Sequence, residues 1–118
     1  MSKKIMIVDD EEDIRTLLET FLQKNGFETV SATNGNDAIE LWKKEKPDLV
    51  TLDLQMPKNT GTDFYRKIRR EDDSDQVPVI VISGLPGRHL AIPKPFAVFD
   101  KPIDRDGLLE KINEALGL

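Results

Sequence analysis

The 118 residues include 22 Asp+Glu against 17 Lys+Arg, a net charge of −5, with 38% apolar and 33% charged residues and no cysteine. That length predicts one domain spanning residues 1–118 with a buried core, and the composition excludes disordered and fibrous classes. The lack of cysteine excludes disulfides, thiolate zinc sites and thiol nucleophiles and fits a reducing, cytoplasmic setting. The acidic balance argues against direct nucleic-acid binding, and the short apolar run before Asp9 against a signal or membrane span.

Ile5-Met6-Ile7-Val8 is a continuous, β-branched-rich apolar run stopped by carboxylates, as expected for a strand buried on both faces. Ile14, Leu17, Leu18, Phe21 and Leu22 then recur at helical spacing, predicting a helix over about 12–26 capped by Asn25-Gly26. Residues 27–32 read as a strand, Asn34-Gly35 as a turn, and 37–45 as a helix with Ala38, Ile39, Leu41 and Trp42 inward, closed by Pro47. Leu49 to Leu52 is a third buried strand ending on Asp53. Pro57 and Gly61 precede a helix bearing Phe64, Tyr65 and Ile68. Residues 77–82 make a fourth strand, with Pro78 at its start, and 97–99 a fifth. Leu108, Leu109, Ile112 and Leu116 mark a last amphipathic helix with Asp104 near its start.

Strands alternating with helices imply right-handed crossovers and a parallel α/β sheet between two helix layers. The stretch from Gly84 to Pro95 should hold the fourth helix. Its three prolines and two glycines leave room for one turn at most, so that helix is expected to be reduced or absent.

In such a sheet the ligand crevice lies beyond the carboxyl ends of the strands. Strand one ends there in Asp9-Asp10-Glu11-Glu12-Asp13, strand three on Asp53, strand four on Ser83 and strand five on Asp100-Lys101. Taken singly, several of these have ordinary explanations. Glu11, Glu12 and Asp13 complement a helix dipole, Asp9 and Asp10 fit a capping role as well as a cation site, Ser83 suits a turn and Lys101 a solvated surface. Asp53 closes a fully apolar strand and must be solvated, paired or metal-bound. Converging carboxylates call for a cation, and a few hard oxygens plus water suit Mg²⁺ better than Ca²⁺.

With these residues the whole chain resembles the receiver domain of two-component response regulators. Asp9-Asp10 resembles that family's acidic pair, Asp53 with Met56-Pro57 and Gly61 its phosphoacceptor, Ser83-Gly84 its switch hydroxyl and small neighbour, and Lys101-Pro102 its lysine and following proline. The resemblance implies a flavodoxin-like, doubly wound five-stranded sheet of order 2-1-3-4-5. It also implies a phosphorylation-activated switch, not a dedicated enzyme, in which Asp53 accepts a phosphoryl group from a phosphohistidine. The donor would be a sensor histidine kinase or histidine phosphotransfer protein, and the output would act on a downstream protein target. Mg²⁺ would be held by Asp10, Asp53 and the backbone carbonyl of Gln55, with Asp9 acting through water. Lys101 would neutralise a phosphoryl oxygen, and Ser83 would donate a hydrogen bond to the bound group.

Two departures from the family pattern stand out. Ser83 and Lys101 are only eighteen residues apart, and Val98 stands where the family's switch aromatic is expected, beside Phe99. A reshaped output surface is therefore expected. His89 is read as a surface residue, Trp42 as helix-sheet packing, and Arg69-Arg70 as complementing a helix C-terminus. An aspartate-nucleophile phosphohydrolase would need a second Asp where Gln55 stands, and five carboxylates after strand one would repel the phosphate of a flavin. A degenerate receiver serving as a phosphorylation-independent interaction module would not need Asp9, Asp10, Asp53, Ser83 and Lys101 intact.

Overall fold

A computed structural model describes residues 2–54, 60–71, 77–84 and 95–118. Five strands, β1 (Lys4–Val8), β2 (Glu28–Ala32), β3 (Leu49–Asp53), β4 (Val79–Ser83) and β5 (Ala97–Asp100), pair in parallel in the order β2-β1-β3-β4-β5. Among the described residues four helices accompany them: α1 (Glu12–Lys24), α2 (Gly35–Glu45), α3 (Thr60–Glu71) and α4 (Arg105–Leu116). The expected reduction of a helix between β4 and β5, together with Gln55 and His89, lies outside the described residues.

Period-two alternation sends the two faces of each central strand into separate cores. Met6, Val8, Val50, Leu52, Val79 and Val81 pack with Ala38 and Ile39 of α2 and Phe64, Tyr65 and Ile68 of α3. Ile5, Ile7, Leu49, Ile80 and Ile82 face Leu18 and Leu22 of α1 and Leu108 and Ile112 of α4. Burial on both faces explains why β1, β3 and β4 read as apolar runs interrupted only by Thr51, whereas the edge strand β5 alternates between half-buried and exposed residues. Phe99 packs toward the α1/α4 side and Val98 is exposed, so the aromatic beside the expected switch position does face the opposite way.

Helix ends follow local chemistry. Asn34, expected in a turn, is the N-cap of α2. Its Oδ1 accepts the Asp37 N–H at 2.8 Å, which lets the helix begin two residues early, at Gly35. Asp104 caps α4 by accepting the Gly107 N–H, and Gly26, at φ +91°, provides the left-handed turn that ends α1. Arg69 does more than complement a helix end: its guanidinium lies 4.9 Å from the Tyr65 ring centroid and donates to the Val77 carbonyl at 2.9 Å, tying α3 to the approach of β4. Trp42 packs half-buried against the α2/α3 core, as expected. Among the described residues no helix is long and apolar enough to cross a membrane.

Candidate phosphoacceptor and metal site

Parallel pairing brings every strand's carboxyl end to one edge. Cα register places Val8 beside Leu52, Asp53 beside Ile82, and Ser83 beside Asp100. The ladder runs one step further at each flank, with Asp9 N donating to the Ala32 carbonyl at 3.1 Å and Lys101 N to the Ser83 carbonyl at 3.0 Å. Asp9, Asp53, Ser83 and Lys101 are thus fixed by sheet hydrogen bonding rather than by mobile loops. The Lys101-Pro102 peptide is cis.

Lys101 Nζ is the hub. It lies 3.2 Å from Asp9 Oδ2, 3.6 Å from Asp53 Oδ2 and 2.8 Å from Glu11 Oε1. The Asp9 and Asp53 side chains are 3% and 0% exposed, that of Lys101 13%, and that of Glu11 56%. Burial pushes the Asp9 carboxyl above the ordinary carboxylate value, only partly opposed by the Glu11 N–H and by Lys101. Burial alone would lower the Lys101 ammonium. The hydrogen bond to Glu11 and the charges of Asp53 and Asp9 outweigh it and raise the group above its ordinary value. Arg15 Nη1 donates to the Asp9 carbonyl at 2.8 Å and fixes the turn into α1.

Oxygen atoms of Asp9, Asp10, Glu11 and Asp53 all lie within 4.8 Å of one another. Among the described residues three of these four carboxylates share the Lys101 ammonium, so the cluster has excess negative charge supplied entirely by hard oxygens. That donor set fits a small divalent ion such as Mg²⁺. Chemically, the arrangement offers a shielded carboxylate nucleophile, a cation site beside it and a fixed ammonium.

Of the residues expected at the site, Asp9, Asp10, Asp53, Ser83 and Lys101 all occur at this edge, with Ser83 2% exposed and Asp10 exposed. Gln55 lies outside the described residues. Glu11 corrects the sequence reading, which grouped it with Glu12 and Asp13 as helix-dipole charges. Its backbone N–H donates to Asp9 Oδ1 at 2.9 Å, and the carboxylate turns back onto Lys101. Arg15, which holds the Asp9 carbonyl, has no signal in the sequence that marks it. Five consecutive carboxylates flagged the loop, but which of them folds back depends on the Asp9 turn.

Residues 5–113 match the family model of the response regulator receiver domain. The chain is 37% identical over 123 residues to the chemotaxis protein CheY of Bacillus subtilis, covering 98% of this chain and 99% of that protein. It is 42% identical over 83 residues to "Probable transcriptional regulator ycf27" of Porphyridium aerugineum, 70% of this chain and 33% of that protein, so it spans about a third of the length of that longer relative. The crystal structure of the response regulator protein TrrA from Thermotoga maritima, in complex with Mg²⁺-BeF, superposes with a TM-score of 0.82 at 30% identity, covering 97% of this chain and 99% of that one. Matched along nearly its whole length, with the acidic pocket and lysine assembled at the sheet edge, the chain belongs to the response regulator receiver domains, phosphoacceptor modules of two-component signalling.

Proposed function

We propose that residues 1–118 act as a single receiver unit in which Asp53 accepts a phosphoryl group from a phosphohistidine on a sensor histidine kinase or phosphotransfer protein. The observation that carries this reading is the contact of Lys101 Nζ with Asp9 and Asp53, two carboxylates buried at the ends of neighbouring strands. An Asp53 oxygen attacks phosphorus, the N–P bond breaks, and the imidazole leaves with the electron pair. Asp10, Asp53 and the Gln55 carbonyl would hold Mg²⁺, with Asp9 acting through water. When bound, the ion supplies the positive charge that lets an anionic donor approach an anionic nucleophile.

Lys101 neutralises a second phosphoryl oxygen, and the Ser83 hydroxyl donates to a third. These new contacts shift the population of conformers at the end of β4, which is the signal read by a downstream protein. The absence of cysteine agrees with a cytoplasmic setting.

The test is intact mass after incubation with Mg²⁺ and acetyl phosphate. A gain of one phosphoryl mass is expected, abolished by chelation and by Asp53→Asn. No gain from either acetyl phosphate or a phosphorylated kinase would leave a phosphorylation-independent interaction module instead.

A further inference from the structure

Glu11 occupies the N-cap position of α1, at φ −88° and ψ 116°, yet its side chain makes no capping hydrogen bond. Its carboxylate instead spans ninety positions of sequence to meet Lys101 at 2.8 Å, closer than Asp9 at 3.2 Å or Asp53 at 3.6 Å. The three contacts differ in surroundings. Asp9 and Asp53 are shielded from water, so breaking their contacts leaves buried charge unpaired. Glu11 is 56% exposed and is rehydrated as soon as it lets go, which makes it the partner released at least cost.

Resting on the assignment of Lys101 as the cation that neutralises the phosphoryl group, we propose that Glu11 is a positioning residue that holds Lys101 toward the rim of the site, away from Asp53. A phosphoryl group on Asp53 has more charge than the Glu11 carboxylate and sits in a drier place. Lys101 exchanges one for the other, and Glu11 returns to water. Glu11 thereby sets how far the resting site lies from its phosphorylated arrangement. Its loss lowers that distance without touching the nucleophile.

The experiment titrates beryllofluoride, an analogue of the phosphoryl group, into the full chain with saturating Mg²⁺. It compares wild type, Glu11→Gln, Lys101→Met and the double variant, with Mg²⁺ affinity and the Lys101 side-chain NMR signal measured alongside. Glu11→Gln is expected to tighten beryllofluoride binding by about two- to fivefold, the scale of an exposed ion pair. The Lys101 signal should move before any anion is added, and in the Lys101→Met background the substitution should change nothing.

A tightening that persists without Lys101 would mean simple repulsion of the anion and would overturn the proposal. A Glu11→Gln variant that loses Mg²⁺ affinity tenfold would make Glu11 a metal ligand and overturn it equally. If wild type binds beryllofluoride and Lys101→Met weakens that binding while Glu11→Gln does nothing, only the role of Glu11 falls. If wild type does not bind beryllofluoride, the phosphoacceptor reading falls and takes this proposal with it.

Discussion

Lys101 Nζ lies 3.2 Å from Asp9 Oδ2, a carboxylate with 3% of its side chain exposed, linking the ends of β1 and β5 across the two strands between them. Asp53 and Glu11 share the same ammonium, so this lysine is the main internal counter-charge of a crowded acidic edge. Removing one member of a shielded ion pair leaves the other uncompensated. Lys101→Met should therefore destabilise the metal-free protein at pH 7 by about 3 kcal/mol. Asp53→Asn should act oppositely, relieving carboxylate crowding and stabilising the metal-free protein by about 1 kcal/mol. Urea unfolding in chelator reads both, and two shifts of the same sign would refute the crowding argument.

A second ion pair, remote from the site, gives a pH dependence of known sign. Lys4 Nζ lies 3.0 Å from Glu45 Oε1, joining the start of β1 to the end of α2. The hydrogen bond to Glu45 raises the lysine above its ordinary value against a smaller opposing effect of burial. The folded state then holds the proton more tightly than the unfolded chain, so the pair's contribution is complete below pH of about 10.5 and is lost as pH rises through the folded value. The stability difference between wild type and Lys4→Met should be flat from pH 7 to 9 and should shrink above the ordinary lysine value of about 10.5. A difference that grows with alkalinity would contradict the assignment.

Why the sequence was so informative here follows from where its signals sit. β1, β3 and β4 are buried on both faces, so their runs are apolar but for Thr51, and each stops abruptly on a polar residue of the candidate site: Asp9, Asp53 and Ser83. Strand ends and site residues were therefore one signal. Asn34-Gly35 was harder, because the same dipeptide serves a tight turn or a helix N-cap, and only the Asp37 N–H decides between them. Glu11 was illegible for a different reason. Its partner is ninety residues away, and its neighbours Glu12 and Asp13 sit in the first turn of α1 doing what all three seemed suited to.

Thr51 is a flaw in an otherwise apolar strand. It lies in register between Ile7 and Ile80, is 1% exposed, and its hydroxyl has no hydrogen-bond partner among the described residues. A buried hydroxyl left unpaired costs more than the isosteric methyl that would replace it. Thr51→Val should stabilise the fold by about 1 kcal/mol, read as a higher urea midpoint with an unchanged slope. The phosphoryl uptake proposed for Asp53, two residues on, should survive the change. A loss of stability would show that the hydroxyl has a partner after all.

Lys46 ends α2 in the left-handed region, at φ 47° and ψ 64°, with its N–H donating to the Trp42 carbonyl at 3.0 Å. Pro47 follows, so the chain must turn sharply and leave the helix here, and any side chain with a Cβ is strained in that conformation. Glycine is not strained there, and it is the residue most helices place at such an end. Lys46→Gly should therefore stabilise the protein by about 0.5–1 kcal/mol, even though glycine loses more backbone freedom on folding than lysine does. The control is Lys44→Gly, two residues earlier and still helical, which should cost about 1 kcal/mol. Opposite signs from the same substitution at neighbouring exposed lysines would locate the effect in backbone conformation, since charge and lost side-chain contacts are nearly alike at the two positions. Matching losses at both would mean that the left-handed turn at Lys46 is not strained in solution.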